Sequence, residues 1–105
     1  MLNYKNNQPY VEGVELESIA KIQPTPFYVY SEDKIRSTYK KLKKQLDSKI
    51  FYSVKANSNQ AIIKLLQTLG SGADVVSIGE LKRVLHAGIL PNNIIPAYDG
   101  MSFYI

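Results

Sequence analysis

With 105 residues, 45% of them hydrophobic and 21% charged, the chain has the composition of one small globular domain or a piece of a larger one, which excludes bulk disorder. The lack of cysteine excludes disulfides, thiolate nucleophiles and cysteine metal sites, and the single histidine, His86, cannot form a zinc cluster alone. The net charge of +4 is local: between Ser31 and Ile50 seven bases (Lys34, Arg36, Lys40, Lys41, Lys43, Lys44, Lys49) face three acids (Glu32, Asp33, Asp47), and the remainder balances to zero.

The opening residues Met1 to Asn7 lack the apolar core of a signal peptide, and no run approaches the ~18 apolar residues of a membrane span. A cytoplasmic protein without a membrane partner is expected. Residues 1–26 show weak periodicity and several turn-formers, ending in Pro24-Thr25-Pro26, and read as an arm. Phe27-Tyr28-Val29-Tyr30 reads as a short strand of aromatic and β-branched residues. Ser31 is then a candidate N-cap, with Glu32 and Asp33 in the first turn of a helix whose apolar stripe is Ile35, Tyr39, Leu42 and Leu46. Lysines cover the rest of that helix. They surround an apolar stripe and no aromatic stacking row accompanies them, so a solvated face is expected rather than a nucleic-acid site.

Ile50 to Val54 predicts a strand that ends on Lys55 and runs into the cap-forming residues Asn57, Ser58 and Asn59. A lysine at the C-terminal end of a strand in an α/β chain lies at the face where such folds bind ligands. The next helix carries Ile62, Leu65, Leu66 and Leu69 on one face and is expected to end at Gly70 and Gly72. Ala73 to Ser77 predicts a buried strand, and Ser77-Ile78-Gly79-Glu80 fits a capping box for a helix with Leu81, Val84 and Leu85 on its apolar face, stopping at Gly88. Pro91-Asn92-Asn93 makes a turn, Ile94-Ile95 begins a further strand, and Pro96 would remove a ladder donor there.

Strands alternating with helices from Ile50 onward predict βαβ units on a parallel sheet. Two α/β architectures fit: an open doubly wound sheet, which ~100 residues can close, or part of a (β/α)8 barrel, which takes roughly 250.

Tyr52-Ser53-Val54-Lys55-Ala56-Asn57-Ser58-Asn59 resembles the lysine motif of the fold-type III pyridoxal phosphate decarboxylases, most closely that of the diaminopimelate decarboxylase family. Gly72 to Leu81 is similar to that family's second barrel strand and following helix, and Thr25 to Tyr30 to its lead-in. Ser53 stands where alanine is more common. The resemblance implies a partial (β/α)8 barrel of the alanine racemase-like type, ending after about three barrel strands. It divides the chain into an arm and lead-in strand (1–30), a partial cofactor-binding barrel (31–95) and a divergent tail (96–105), the last expected from a frameshift or premature stop. Carboxynorspermidine, arginine and ornithine decarboxylases are alternative relatives.

The same resemblance implies that Lys55 forms the covalent link to pyridoxal 5'-phosphate and that Asp74 contributes to the wall of the cofactor pocket; a carboxylate in a buried-looking strand is costly unless paired, so Lys55 is its expected partner, and the composition predicts no metal site. An amine in this role must spend time neutral, which partial burial and neighbouring positive charge favour. In the family the substrate is a small amino acid, losing its carboxylate as carbon dioxide, and the enzyme is a homodimer. The phosphate loop, the acid facing the pyridine nitrogen, the carboxylate-binding arginines and a cysteine from the partner subunit come from later segments of the family, so no turnover is expected of this chain alone. Ser77 and Glu80 are expected to serve as helix caps, and His86 to lie on a helix away from the site. The alternatives are a non-catalytic module that binds pyridoxal phosphate or a partner, and a basic nucleic-acid binder.

Overall fold

The computed structural model describes residues 2–97. Two compact units divide the chain, Met1–Thr38 and Tyr39–Ile105.

In the first unit the stretch read as an arm is a folded antiparallel meander. Strands β1 (Leu2–Lys5), β2 (Gln8–Val11) and β3 (Val14–Glu15) lie in the order β1-β2-β3. The register closes on Lys5↔Gln8 at one end and Val11↔Val14 at the other, leaving two-residue loops. Both loops have two successive residues at positive φ: Asn6 and Asn7 at 52° and 62°, Glu12 and Gly13 at 53° and 75°. This is the backbone signature of the type I′ hairpin turn, whose twist matches that of the flanking strands. Asparagine and glycine enter that region readily, whereas Glu12 does so against its Cβ. A short helix, α1 (Leu16–Ala20), follows β3.

Phe27 to Tyr30 form no strand. A strand needs a ladder partner, and none of the described residues pairs with this segment, in which Tyr28 is 88% exposed. Helix α2 (Glu32–Leu46) begins as expected at Ser31, whose Oγ accepts from the Lys34 N–H at 3.1 Å. A carboxylate also joins that cap. Glu12 accepts from Ser31 Oγ at 2.5 Å and from the Asp33 N–H at 2.7 Å, which ties the β2–β3 turn to the helix start. These donors hold the Glu12 carboxyl below its ordinary range, Ser31 first and the Asp33 amide second. Of the stripe on α2 only Tyr39 is buried, while Leu42 and Leu46 are exposed.

The second unit contains the alternation expected from the sequence. Strands β4 (Phe51–Ser53), β5 (Gly72–Val75) and β6 (Ile94–Pro96) form a parallel sheet in the order β4-β5-β6. Helices α3 (Gln60–Thr68) and α4 (Ile78–His86) supply the crossovers. Their shared core is Val54, Ile63, Ala73, Val75, Val84, Ala87, Ile89 and Ile94, with Tyr52 and Leu81 packed against it. Val54, Ile63, Val75 and Val84 are fully buried, and each contributes ~1.5–3 kcal/mol through removal of its side chain from water. Ile63, outside the stripe expected for α3, is the centre of its packed face, with Leu66 beside it.

Two glycines at the end of α3 divide their labour differently from the expectation. Gly70, at φ +93°, ends the helix, and the Ser71 N–H reaches back to the Leu66 carbonyl at 3.0 Å. Gly72 instead opens β5. A Cβ there would stand 2.6 Å from the Phe51 ring and 2.7 Å from the Asn93 carbonyl oxygen, so only hydrogen fits. Pro96 is accommodated as the last residue of β6, and the ladder continues past it through the Ala97 N–H to the Val75 carbonyl at 2.9 Å. The rest of the segment read as a divergent tail, 98–105, lies outside the described residues.

Candidate functional site

The register of the sheet sorts its side chains onto two faces, because alternate residues of a strand point to opposite sides. Tyr52, Ala73 and Ile94 stand in register and belong to the face that α3 and α4 cover. Ser53, Asp74 and Ile95 form the adjacent row on the other face, where Ile95 is 43% exposed. That face presents the chemistry.

Asp74 is central to it. Its Oδ1 is buried and has no hydrogen-bond partner among the described residues. A buried carboxylate oxygen without a donor is costly. A hydroxyl, a protonated ring nitrogen or an ammonium group could satisfy it.

Lys55 lies two residues beyond Ser53, the register partner of Asp74. It is carried by the middle residue of a 3-10 turn, Val54–Ala56, that closes the C-terminal end of β4. The side chain is exposed, so the expected partial burial is not provided by the described residues. The expected pairing with Asp74 is not formed either: the one ion pair among the described residues is Arg36–Glu32 at 2.9 Å on α2. The reason is visible in the backbone. The chain leaves the extended conformation at Val54, so the lysine does not continue the row of Ser53 and Asp74.

The corner that follows is fixed by side chains with short reach. The Asn57 N–H donates to the Val54 carbonyl at 3.1 Å and closes the lysine turn. Asn57 Oδ1 accepts from the Asn59 N–H at 3.0 Å, and Asn59 Oδ1, the N-cap of α3, accepts from the Ala61 N–H at 2.9 Å. Arg83 Nη1 on α4 donates to the Ser58 carbonyl at 3.2 Å. Tyr52 Oη donates to the Asn57 carbonyl at 2.7 Å from the other side of the turn. Sequence reasoning took Asn57, Ser58 and Asn59 as caps for α3 and left Tyr52 without a role. The signal available for Tyr52 was a tyrosine in an otherwise apolar strand, since a packed tyrosine hydroxyl ordinarily finds an acceptor.

At the next strand end Ser77 and Glu80 cap α4 as expected. Ser77 Oγ accepts from the Glu80 N–H at 3.1 Å, and Glu80 Oε1 accepts from the Val76 N–H at 2.9 Å, one residue further back than a capping box requires. His86 is the last residue of α4 and is exposed. No group of three or more His, Cys, Asp or Glu among the described residues could hold a metal ion. Nor is any described helix long and apolar enough to cross a membrane.

Pyridoxal phosphate fits the residues present on two counts. An aldehyde needs an amine, which Lys55 offers at the strand end. A ring bearing a hydroxyl and a protonatable nitrogen needs a carboxylate acceptor, and Asp74 has one unused.

Comparison with known proteins points the same way. Residues 32–102 match the family described as pyridoxal-dependent decarboxylase, pyridoxal binding domain. A diaminopimelate decarboxylase of Aquifex aeolicus is 43% identical over 100 residues, covering 94% of this chain and 24% of its own length. The crystal structure of a protein from the same organism superposes with a TM-score of 0.87 at 41% identity, over 98% of this chain and 26% of that one. A diaminopimelate decarboxylase from Helicobacter pylori, solved in complex with L-lysine, superposes with a TM-score of 0.75 at 44% identity, over 83% of this chain and 23% of that one. The chain thus spans about a quarter of the length of the relatives it matches.

Proposed function

The chain belongs to the pyridoxal-dependent decarboxylases through their pyridoxal-binding domain, and from that premise we propose that it carries the lysine-bearing part of a diaminopimelate decarboxylase site, with Lys55 as the residue that binds pyridoxal phosphate covalently and Asp74 as a wall of the pocket. The observation that carries this reading is the buried Asp74 Oδ1, without a hydrogen-bond partner among the described residues, on the strand beside the one that ends in the Lys55 turn. When bound, the cofactor supplies an aldehyde for an amine and a ring that takes up the electron pair left as a carboxylate departs.

The chain's own residues have three tasks. Lys55 must present Nζ without its proton to bond, and can then hold or return a proton at that atom. Asp74 accepts a hydrogen bond from a cationic or hydroxyl-bearing group and so fixes its orientation. The capped corner from Asn57 to Asn59 keeps the start of the lysine side chain in place. In the same reading the β4-β5-β6 sheet is the first three strands of a (β/α)8 barrel, 31–95 is the cofactor domain, 1–30 is the lead-in and 96–105 a divergent tail. The substrate class is a small amino acid, meso-diaminopimelate giving L-lysine and carbon dioxide, the family's assembly a homodimer, and the compartment the cytoplasm.

A second reading, binding of pyridoxal phosphate without turnover, is favoured by the exposure of Lys55, because the described residues do not enclose the amine away from water. One experiment addresses both. The chain is mixed with pyridoxal phosphate, reduced with borohydride and mapped by mass spectrometry, and carbon dioxide release from diaminopimelate is followed in parallel. A single dominant adduct at Lys55, lost in Lys55→Ala, is expected. Adducts spread evenly over the surface lysines would defeat the assignment, and carbon dioxide release would overturn the second reading.

A further inference from the structure

Lys55 is exposed on a three-residue turn, and the position of its amine is only as well defined as the backbone beneath it. Resting on the reading above, we infer that Tyr52 is a positioning residue for Lys55, acting through a hydroxyl brace that spans the lysine turn. Tyr52 stands three residues before Lys55 and Asn57 two after it. The Tyr52 Oη to Asn57 carbonyl bond, at 2.7 Å, therefore bridges the whole turn from outside, while the Asn57 N–H to Val54 carbonyl bond closes it from inside. One end of the brace is anchored, because the Tyr52 side chain packs against the buried cluster of Val54, Ile63, Ala73 and their neighbours. The other end is anchored too, because Asn57 Oδ1 holds the Asn59 N–H and Asn59 caps α3.

The turn thus hangs between the core and a helix N-terminus. A lysine stem is long and freely rotating, and a drifting Cα would widen the volume that Nζ explores. A fixed Cα confines that volume, which raises the fraction of time the amine spends where a carbonyl carbon would sit. Phenylalanine at position 52 would keep the packing and remove the hydroxyl that makes the brace.

The test compares the full chain with its Tyr52→Phe variant. Without cofactor, hydrogen exchange of the Asn57 amide is expected to rise roughly fivefold in the variant, the worth of one ordinary hydrogen bond, with the β5 amides unchanged. With pyridoxal phosphate, the rate of borohydride-trapped adduct formation at Lys55 is expected to fall by a similar factor while thermal stability stays near that of the parent. Unchanged Asn57 exchange, or equal trapping rates in the two proteins, overturns the role of Tyr52 and leaves the cofactor reading standing. Absence of a Lys55 adduct in the parent chain removes the cofactor reading itself. Should Tyr52→Phe unfold, Asn57→Ala, which loosens the far anchor and keeps the tyrosine, is expected to move both readouts the same way, and its failure to move them is equally decisive.

Discussion

A methyl group at position 72 would meet the Phe51 ring at 2.6 Å and the Asn93 carbonyl at 2.7 Å, and the second of these is backbone that cannot swing aside. Gly72→Ala is therefore expected to lower stability by ~1–3 kcal/mol through overpacking, read as a lower thermal midpoint. Gly79, inside α4 with nothing nearer than Ser77 Oγ at 3.8 Å, provides the opposite control. Gly79→Ala is expected to stabilise by ~0.5–1 kcal/mol, because a helical position gains from losing the freedom of glycine. Both glycines were visible in the sequence, but their meanings were not. Gly72 read as a helix stop, since nothing in the letters shows that a phenylalanine one strand away lies over it. Lys55 stood out as a candidate through its motif, whereas the buried oxygen of Asp74, without a partner among the described residues, depends on which neighbours arrive at its strand.

At the level of elements, α2, α3 and α4 were legible because each combines a cap with a periodic apolar face. Ser77→Ala removes the acceptor for the Glu80 N–H and is expected to destabilise α4 by about 1 kcal/mol, measured by chemical denaturation. The start of α2 is more elaborate, since Glu12, from a turn nineteen residues upstream, shares the cap with Ser31. Its carboxyl is held below the ordinary glutamate range, so the folded state binds this proton less readily than the unfolded chain. The linkage sign follows: the contribution is fully present above the ordinary glutamate pKa of ~4.3 and is lost as pH falls through the lower folded value. A pH titration of stability is expected to show an acid limb in that window that is flatter in Glu12→Gln. The β1–β3 meander was not legible as such. Its strands are short, and its turns rest on Asn6-Asn7 and Glu12-Gly13, dipeptides whose positive φ only the paired strands reveal.

For the molecule as a whole, the α/β class and a candidate amine could be read from the letters alone. The alternation of strand and helix from Ile50 onward dictates a parallel sheet, because parallel neighbours need a crossover, and the Lys-Ala-Asn-Ser-Asn run at a strand end names the candidate amine. Local propensity, capping and apolar period are properties of contiguous residues, so they can be read from letters. The packing of distant segments set the remainder. It denied Phe27 to Tyr30 a strand for want of a ladder partner, gave Gly72 a packing role, and admitted Pro96 at the end of β6. It also separated Lys55 from the row of Asp74 by turning the chain at Val54, and put the Tyr52 hydroxyl across that turn. Each of these depends on residues far apart in sequence meeting at a distance of a few ångströms, which no local pattern encodes.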